Sequence, residues 1–351
     1  MNPLHIGSRI VGPGQPVYII AEISANHRHD YALAERLVHT AHAAGADAVK
    51  LQTYTADTLT IQSDNPHFRI GHGTLWENRS LYDLYQEAYT PWDWQPRLKE
   101  FAEALGLDLF SSPFDSTAVD FLQAMQVPAW KIASFELVDH ALIERCARTG
   151  KPIILSTGMA TRVEIEEAVA AARGAGAAEI ALLKCTSGYP AAPEEMNLRT
   201  IPDMIAAFDV PIGLSDHTLD VAVPVAAVAL GACLIEKHLT LRRSDGGPDG
   251  AFSLEPPEFS EMVKQVRIAE SALGKVTYEV SEKESASRTF RRSLFVIADV
   301  KAGEVFTEQN VRSIRPGYGL APKHLSEVLG CRATQDVERG TPLSWEIISR
   351  A

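Results

Sequence analysis

The residues of this chain that could do chemistry cluster at the ends of short apolar runs. Glu22 closes the first run and is followed by Asn26 and His27, and Lys50 and Gln52 sit at the end of the second. Ser111 and Ser112, then Lys131, Ser134 and Glu136, then Ser156 and Thr157 close the next three. Lys184 with Thr186, Ser187 and Tyr189, then Ser215 with Asp216 and His217, then Glu236 with Lys237 and His238 close the last three. Any one of these ends reads most simply as a cap or a solvated edge. As a set converging on one place they need a shared partner, because buried charges survive only when paired or when they bind something. Lys50, Lys131 and Lys184, with the hydroxyls of Ser112, Ser134, Ser156 and Ser215, would cradle a phosphate and a carboxylate. His217 and His238 end adjacent runs, so both imidazoles can reach one corner. Two neutral imidazoles with open positions suit a divalent metal, Mn²⁺ first, with Mg²⁺ or Co²⁺ as other choices, completed by water and substrate oxygens. A structural histidine pair is the plain alternative. Three functions stay open on these residues. One is a metal-assisted carbon–carbon condensation with an anionic phosphate substrate. The second is a Schiff-base aldolase using the lysine of the fourth or sixth run. The third is binding without catalysis, which leaves Glu22, Glu136 and the paired histidines unexplained.

The elements that must position these groups follow from the runs. Strands are predicted at 17–22, 47–52, 107–112, 129–134, 152–157, 179–185, 210–215 and 233–238, each short, apolar and rich in β-branched residues. Segments of helical period lie between them, such as "YALAERLVHTAHAAG", "WQPRLKEFAEALG" and "RVEIEEAVAAARGAG", several ending in the Gly that caps a helix. A last helix, "PPEFSEMVKQVRIAESALG", opens with Pro. Eight strand–helix units over some 250 residues are the count and size of a (β/α)8 TIM barrel, whose chemistry sits at the C-terminal ends of its strands. A doubly wound sheet is disfavoured, since no G-x-G-x-x-G follows the first strand. "LHIGSRIVGPGQP" reads as a hairpin over the barrel's N-terminal mouth, so the barrel domain takes residues 1–274. Residues 275–290 are polar and read as a linker, and 291–351 form a small turn-rich C-terminal module punctuated by "KAGE", "RPGYG" and "ERGTP". The connection at 53–91 is too long for a simple loop and reads as a lid or pocket wall carrying Trp76, Tyr82, Tyr85, Tyr89 and Trp92.

Composition narrows the setting. With 45 acidic against 33 basic residues, the chain lacks the basic surface that general nucleic-acid binding requires. No charged segment leading into an apolar one marks a secretory signal, and the most apolar stretch, "VAVPVAAVALGACLIE", falls short of the roughly 20 residues a membrane helix needs. Cys146, Cys185, Cys233 and Cys331 are widely spaced and read as reduced thiols. The expectation is a soluble, cytoplasmic protein with small-molecule partners and no membrane or nucleic acid.

In order along the chain, "AEISANH", "VKLQTY", "KIASFE", "LSTGMA", "LKCTSGYP", "GLSDHT", "EKHLTL" and "GGPDGAFSL" resemble the sialic acid synthase family. "VKAGEVFT", "IRPGYG" and "DVERGTPL" are similar to the antifreeze-like (SAF, β-clip) domain of those enzymes, so nearly the whole chain is covered. The resemblance implies condensation of phosphoenolpyruvate with an N-acetylated amino sugar to a nine-carbon 2-keto-3-deoxy acid. It implies that Lys50, Ser112, Lys131, Ser134, Ser156, Ser187 and Ser215 hold phosphoenolpyruvate and that His217 and His238 bind the metal. Gln52, Glu136, Tyr189 and Asp249 would bind the open-chain sugar, and Glu22 would guide the attacking water or a proton. Arg315 would reach the sugar from the partner subunit of a domain-swapped homodimer. Ser24 stands where the sialic acid branch usually has Gly, and Lys184-Cys185-Thr186-Ser187 where it has His-Cys-Thr-Asn. Together with "LYDLYQEAYTPWDW", these departures resemble a branch whose sugar is a 2,4-diacetamido-2,4,6-trideoxy hexose rather than N-acetylmannosamine.

Overall fold

The computed structural model describes residues 2–349, which fall into two compact units that part between Gly274 and Lys275. The first opens with a hairpin, β1 (Leu4–Ile6) against β2 (Arg9–Val11). Eight parallel strands follow: β3 (Tyr18–Glu22), β4 (Ala48–Thr53), β5 (Asp108–Pro113), β6 (Trp130–Ile132), β7 (Ile153–Ser156), β8 (Ile180–Cys185), β9 (Ile212–Asp216) and β10 (Leu234–His238). Each pairs with the next and β10 closes on β3, giving the barrel that the alternation of runs predicts. The strands fall within about two residues of their predicted bounds at each end. The hairpin covers the N-terminal mouth as expected. Arg9 bonds Asp108 at 2.9 Å and lies 3.7 Å from Asp47, and His5 bonds Glu179 at 2.8 Å, all three acids sitting at or just before strand starts.

Burial on both faces explains why the strands read as continuous apolar runs. Register decides which residues of each run point inward, because neighbours in a parallel ladder share a face and successive residues alternate. Glu22 pairs with Lys50 and His238, Gln52 with Ser112, and Ser215 with both Cys185 and Glu236. This face is the interior. The outward face carries Leu51, Trp130, Leu155, Leu182 and Leu214 into the helix layer, where they join one core cluster. Gly213 marks a close approach within the barrel: a Cβ there would lie 2.6 Å from Leu183 and from the carbonyl of Leu234.

The helices begin where the sequence supplies caps. Asp30, Asp115 and Asp139 accept from first-turn N–H groups, and Thr161 forms a capping box with Glu164. Such a cap contributes about 1 kcal/mol. The long connection after β4 contains short helices at Ala56–Leu59 and Leu81–Ala88 and a bridge between Arg69 and Ser80. Among the described residues no helix is long and apolar enough to cross a membrane.

The second unit has its own core of Leu294, Val296, Phe306, Val311, Val328 and Leu343. Its strands are β11 (Ser293–Val296) against β12 (Val311–Ile314) and β13 (Arg332–Ala333) against β14 (Ile348–Ser349). Within 275–290 the chain forms a short capped helix at Glu282–Ser287. Arg315 is exposed just beyond β12.

Candidate active site

Four charged side chains fill the C-terminal mouth of the barrel. Lys50 on β4 forms an ion pair with its ladder neighbour Glu22, both almost wholly buried. Glu236 on β10 sits between the two lysines, its Oε1 lying 3.7 Å from Lys50 and 3.4 Å from Lys131 and accepting from Ser215 at 3.3 Å. Lys50 also donates to Ser112 at 3.4 Å. Burial, offset by Lys50, raises the Glu22 carboxyl to about 7. Burial lowers Lys131, which faces the carboxylate of Glu236 but also the charge of Lys50. An anion arriving here meets two ammonium groups already desolvated and held in place, so little ordering remains to oppose binding.

Beside Lys131 the loops after β6, β7 and β8 converge around Gly158. A Cβ at that position would stand 2.2 Å from Ser187 Oγ and 2.7 Å from Ser134 Oγ, so only glycine leaves the hollow open. The Gly158 N–H donates to Ser134 at 3.0 Å. The hydroxyls of Ser156 and Ser187 are buried with no hydrogen-bond partner among the described residues. Buried hydroxyls are ordinarily satisfied. Ser187 faces the hollow at Gly158 and Ser156 stands two residues before it at the end of β7, and together they describe a seat for an oxyanion.

His217 and His238 form the opposite corner, ring centroids 5.3 Å apart. His217 Nδ1–H donates to the Thr186 carbonyl at 2.9 Å, so the neutral ring carries its lone pair on Nε2. Burial works against charge on His217, but Cys185 and that carbonyl hold its pKa above the usual value. Burial, with the positive charges around it, pushes His238 well below the usual value, so this ring is neutral. Its Nδ1 is buried without a partner among the described residues. No cluster of three His, Cys, Asp or Glu side chains suited to a metal occurs among the described residues. His238, neutral and orphaned at Nδ1, and His217, which can present Nε2 on giving up its second proton, fit a divalent ion that takes its remaining ligands from water and substrate oxygens.

A cavity of about 390 Å³ opens from this corner beneath the 53–91 connection. Gln52, Ser134, Glu136, Tyr189, His238 and Asp249 supply its polar wall, and Leu59, Ile70, Leu81, Leu84 and Phe114 much of the apolar one. Of the five aromatics predicted in the connection, Trp76 and Tyr85 line the cavity. Trp76 donates to the Pro248 carbonyl at 2.9 Å and packs on Tyr189 and Phe252. The other three have partners elsewhere: Tyr82 bonds Asp57 within the connection, Tyr89 packs on His29, and Trp92 packs on Phe121. Burial raises Glu136 to about 7, and its Oε2 has no partner among the described residues.

One predicted site residue is not where the sequence reading put it. Lys184 shares a ladder rung with Leu214 and faces away from the interior, its ammonium donating to Thr186 Oγ1 at 2.8 Å and the Cys185 carbonyl at 3.0 Å. The reason is strand parity: one residue separates the two faces. Cys185 takes the inward place, its Sγ 4.0 Å from His217 Nδ1. Burial favours the neutral Cys185 thiol, but the hydrogen bond and charge of His217, with Ser134 and Lys131, bring it down to about 7. Parity likewise turns Asp216 and Lys237 outward, where they form a fully buried ion pair at 2.5 Å. Glu236, the hub of the lysines, was visible as a strand end but carried no assigned role. Tyr54, Phe114 and Phe252 line the cavity without any local signal in the sequence.

Fold and mouth together define a (β/α)8-barrel enzyme with a buried oxyanion seat beside a partly apolar cavity. The chain belongs to the NeuB family, which it matches over residues 37–278, followed by a SAF domain at 291–348. It is 45% identical to the pseudaminic acid synthase of Helicobacter pylori, over 96% of this chain and 99% of that one. It is 35% identical to the N,N'-diacetyllegionaminic acid synthase of Legionella pneumophila, over 96% of each. Among solved structures it resembles the N-acetylneuraminic acid synthetase of Leptospira borgpetersenii, crystallised with citrate. The TM-score is 0.73 and the identity 31%, covering 82% of this chain and 95% of that one.

Proposed function

We propose that the chain makes pseudaminic acid, condensing phosphoenolpyruvate with 2,4-diacetamido-2,4,6-trideoxy-L-altrose and water and releasing phosphate. The observation that carries this is the junction of the two halves of the mouth: Ser134 borders both the oxyanion seat at Gly158 and a cavity with a broad apolar wall. A 6-deoxy carbon and a second acetamido group place apolar surface where other sugars carry hydroxyls, and that wall suits them. The 45% identity to the Helicobacter relative supports the same choice over N-acetylneuraminate or legionaminic acid synthesis. The Schiff-base alternative loses support, because Lys184 faces outward and Lys131 is engaged by Glu236.

In this reading Lys50, Lys131, Ser112, Ser134, Ser156, Ser187 and Ser215 hold the phosphate and carboxylate of phosphoenolpyruvate. Gln52, Glu136, Tyr189 and Asp249 hold the open-chain sugar. A divalent ion held by His217 and His238, manganese in the first instance, would supply Lewis acidity to the aldehyde oxygen. Carbon 3 of phosphoenolpyruvate attacks the aldehyde carbon, whose oxygen takes the C=O electron pair and a proton from solvent to become a hydroxyl, leaving an oxocarbenium-like centre at carbon 2. Glu22, in its carboxylate form, takes a proton from the water that adds there. The tetrahedral intermediate then expels phosphate with C–O cleavage, its growing charge stabilised by Lys131 and the serine hydroxyls. Arg315 completes the sugar site from the partner subunit of a domain-swapped homodimer, and the enzyme works in the cytoplasm.

A phosphate-release assay tests the proposal with three sugars: N-acetylmannosamine and the pseudaminic and legionaminic precursors. Turnover is expected to be highest with the pseudaminic precursor, abolished by chelation and restored by Mn²⁺. Preference for another sugar overturns the substrate assignment; full turnover in excess chelator overturns the metal.

A further inference from the structure

The loop after β3 holds a serine in a conformation that side chains rarely adopt. Ser24 has φ 42° and is 1% exposed. Glycine occupies this left-handed region without steric cost, so a serine persists there only when its surroundings hold it. Its N–H donates to Glu22 Oε1 at 2.7 Å, its hydroxyl bonds Asp249 Oδ2, and Gln52 Nε2 donates to that hydroxyl at 3.2 Å.

These contacts fix more than the serine. A hydroxyl has one proton to give, and a carboxylate only accepts. The Ser24 proton therefore goes to Asp249, and the oxygen can only accept from Gln52. This requires Gln52 to turn its amide nitrogen toward Ser24 and leaves the carbonyl oxygen for the cavity, which Gln52 and Asp249 both line. With glycine at position 24 nothing on this side would set the amide's orientation.

We propose that Ser24 is a positioning residue for sugar selection, locking the Gln52 carbonyl as an acceptor toward the cavity. The proposal rests on the substrate reading above. An acceptor fixed in this way suits the N–H of an acetamido group, which can only donate on that edge. Ser24 also ties the strand that carries Gln52 to the loop that carries Asp249, so one hydroxyl orients two cavity groups.

Steady-state kinetics of Ser24→Gly and Ser24→Ala test the assignment. Both variants are expected to raise the sugar KM roughly tenfold while leaving the phosphoenolpyruvate KM unchanged. Both narrow the preference for the diacetamido sugar over N-acetylmannosamine. Ser24→Gly folds without the backbone strain and melts no lower than Ser24→Ala, which separates loss of the hydroxyl from loss of structure. In a Gln52→Ala background Ser24→Gly adds little further loss in sugar KM, because both changes remove the same contact. A wild-type sugar KM in Ser24→Gly, or fully additive losses in the double variant, overturns the role of Ser24. A wild-type enzyme that prefers N-acetylmannosamine overturns the substrate reading and, with it, the acetamido partner.

Discussion

Glu136 shows how one buried side chain can set a pH dependence. Burial raises its carboxyl from 4.5 to about 7, and no group in the cavity pairs with its Oε2. A carboxyl with a raised folded-state pKa favours the folded state fully below pH 4.5 and loses that contribution as pH rises through about 7. Allowing for the side chain's partial contact with water, about 1–2 kcal/mol is expected to disappear between these values. Thermal unfolding measured from pH 4.5 to 8 should show Glu136→Gln losing less stability across this window than the parent; parallel curves would mean that Glu136 is not buried unpaired. Residue types were the legible part of this site. The lysines, serines and histidines at the strand ends mark the mouth as a candidate anion site and a candidate metal site on chemistry alone. Orientation was less legible, because one step in register separates Cys185, facing His217, from Lys184, facing the helices. A run that is buried on both faces has no polar alternation to reveal which residue points inward.

Two elements carry the mouth, and each can be broken separately. β9 and β10 are joined outside the barrel by the Asp216–Lys237 pair, and Lys237 also donates to the Thr218 carbonyl. Each partner sits one residue from a histidine of the proposed metal site. Lys237→Met would strand a buried carboxylate, at a cost of about 3–5 kcal/mol. Denaturant unfolding should show that loss, and Mn²⁺ titration should show weaker binding as the loop after β9 loosens; unchanged stability would mean that water reaches the pair. The connection after β4 is the other element. Trp76 holds it down through the Pro248 carbonyl and the rings of Tyr189 and Phe252. Trp76→Ala is expected to raise the sugar KM roughly tenfold without moving the phosphoenolpyruvate KM; equal effects on both would place Trp76 outside sugar binding. The barrel strands were legible because β-branched runs between helical segments leave few other folds. The connection was legible only as an excess of length. Which of its aromatics face the cavity depends on partners such as Pro248 and Phe252, some 170 residues away.

The whole molecule consists of two units with separate cores, and the proposed function needs a residue from each. The barrel holds every group that meets phosphoenolpyruvate in this reading. Arg315 lies in the second unit, exposed just beyond β12. If Arg315 serves the partner's barrel, two defective variants should repair one another. Arg315→Ala has a sound barrel and a defective tail, whereas Lys131→Met has a defective barrel and a sound tail. In a hybrid dimer, the sound barrel of the first meets the sound tail of the second, while the other site carries both defects. Hybrids make up half of a randomly reassorted mixture and have one working site of two, so about a quarter of parental activity should return. Each variant alone should stay far below that value, and so should their mixture before subunits exchange. Sites completed within one chain would give no recovery, because each hybrid would then hold one tail-defective and one barrel-defective site. Phosphate release followed during reassortment reads the difference directly, and its rise should track the formation of hybrids as monitored by mass.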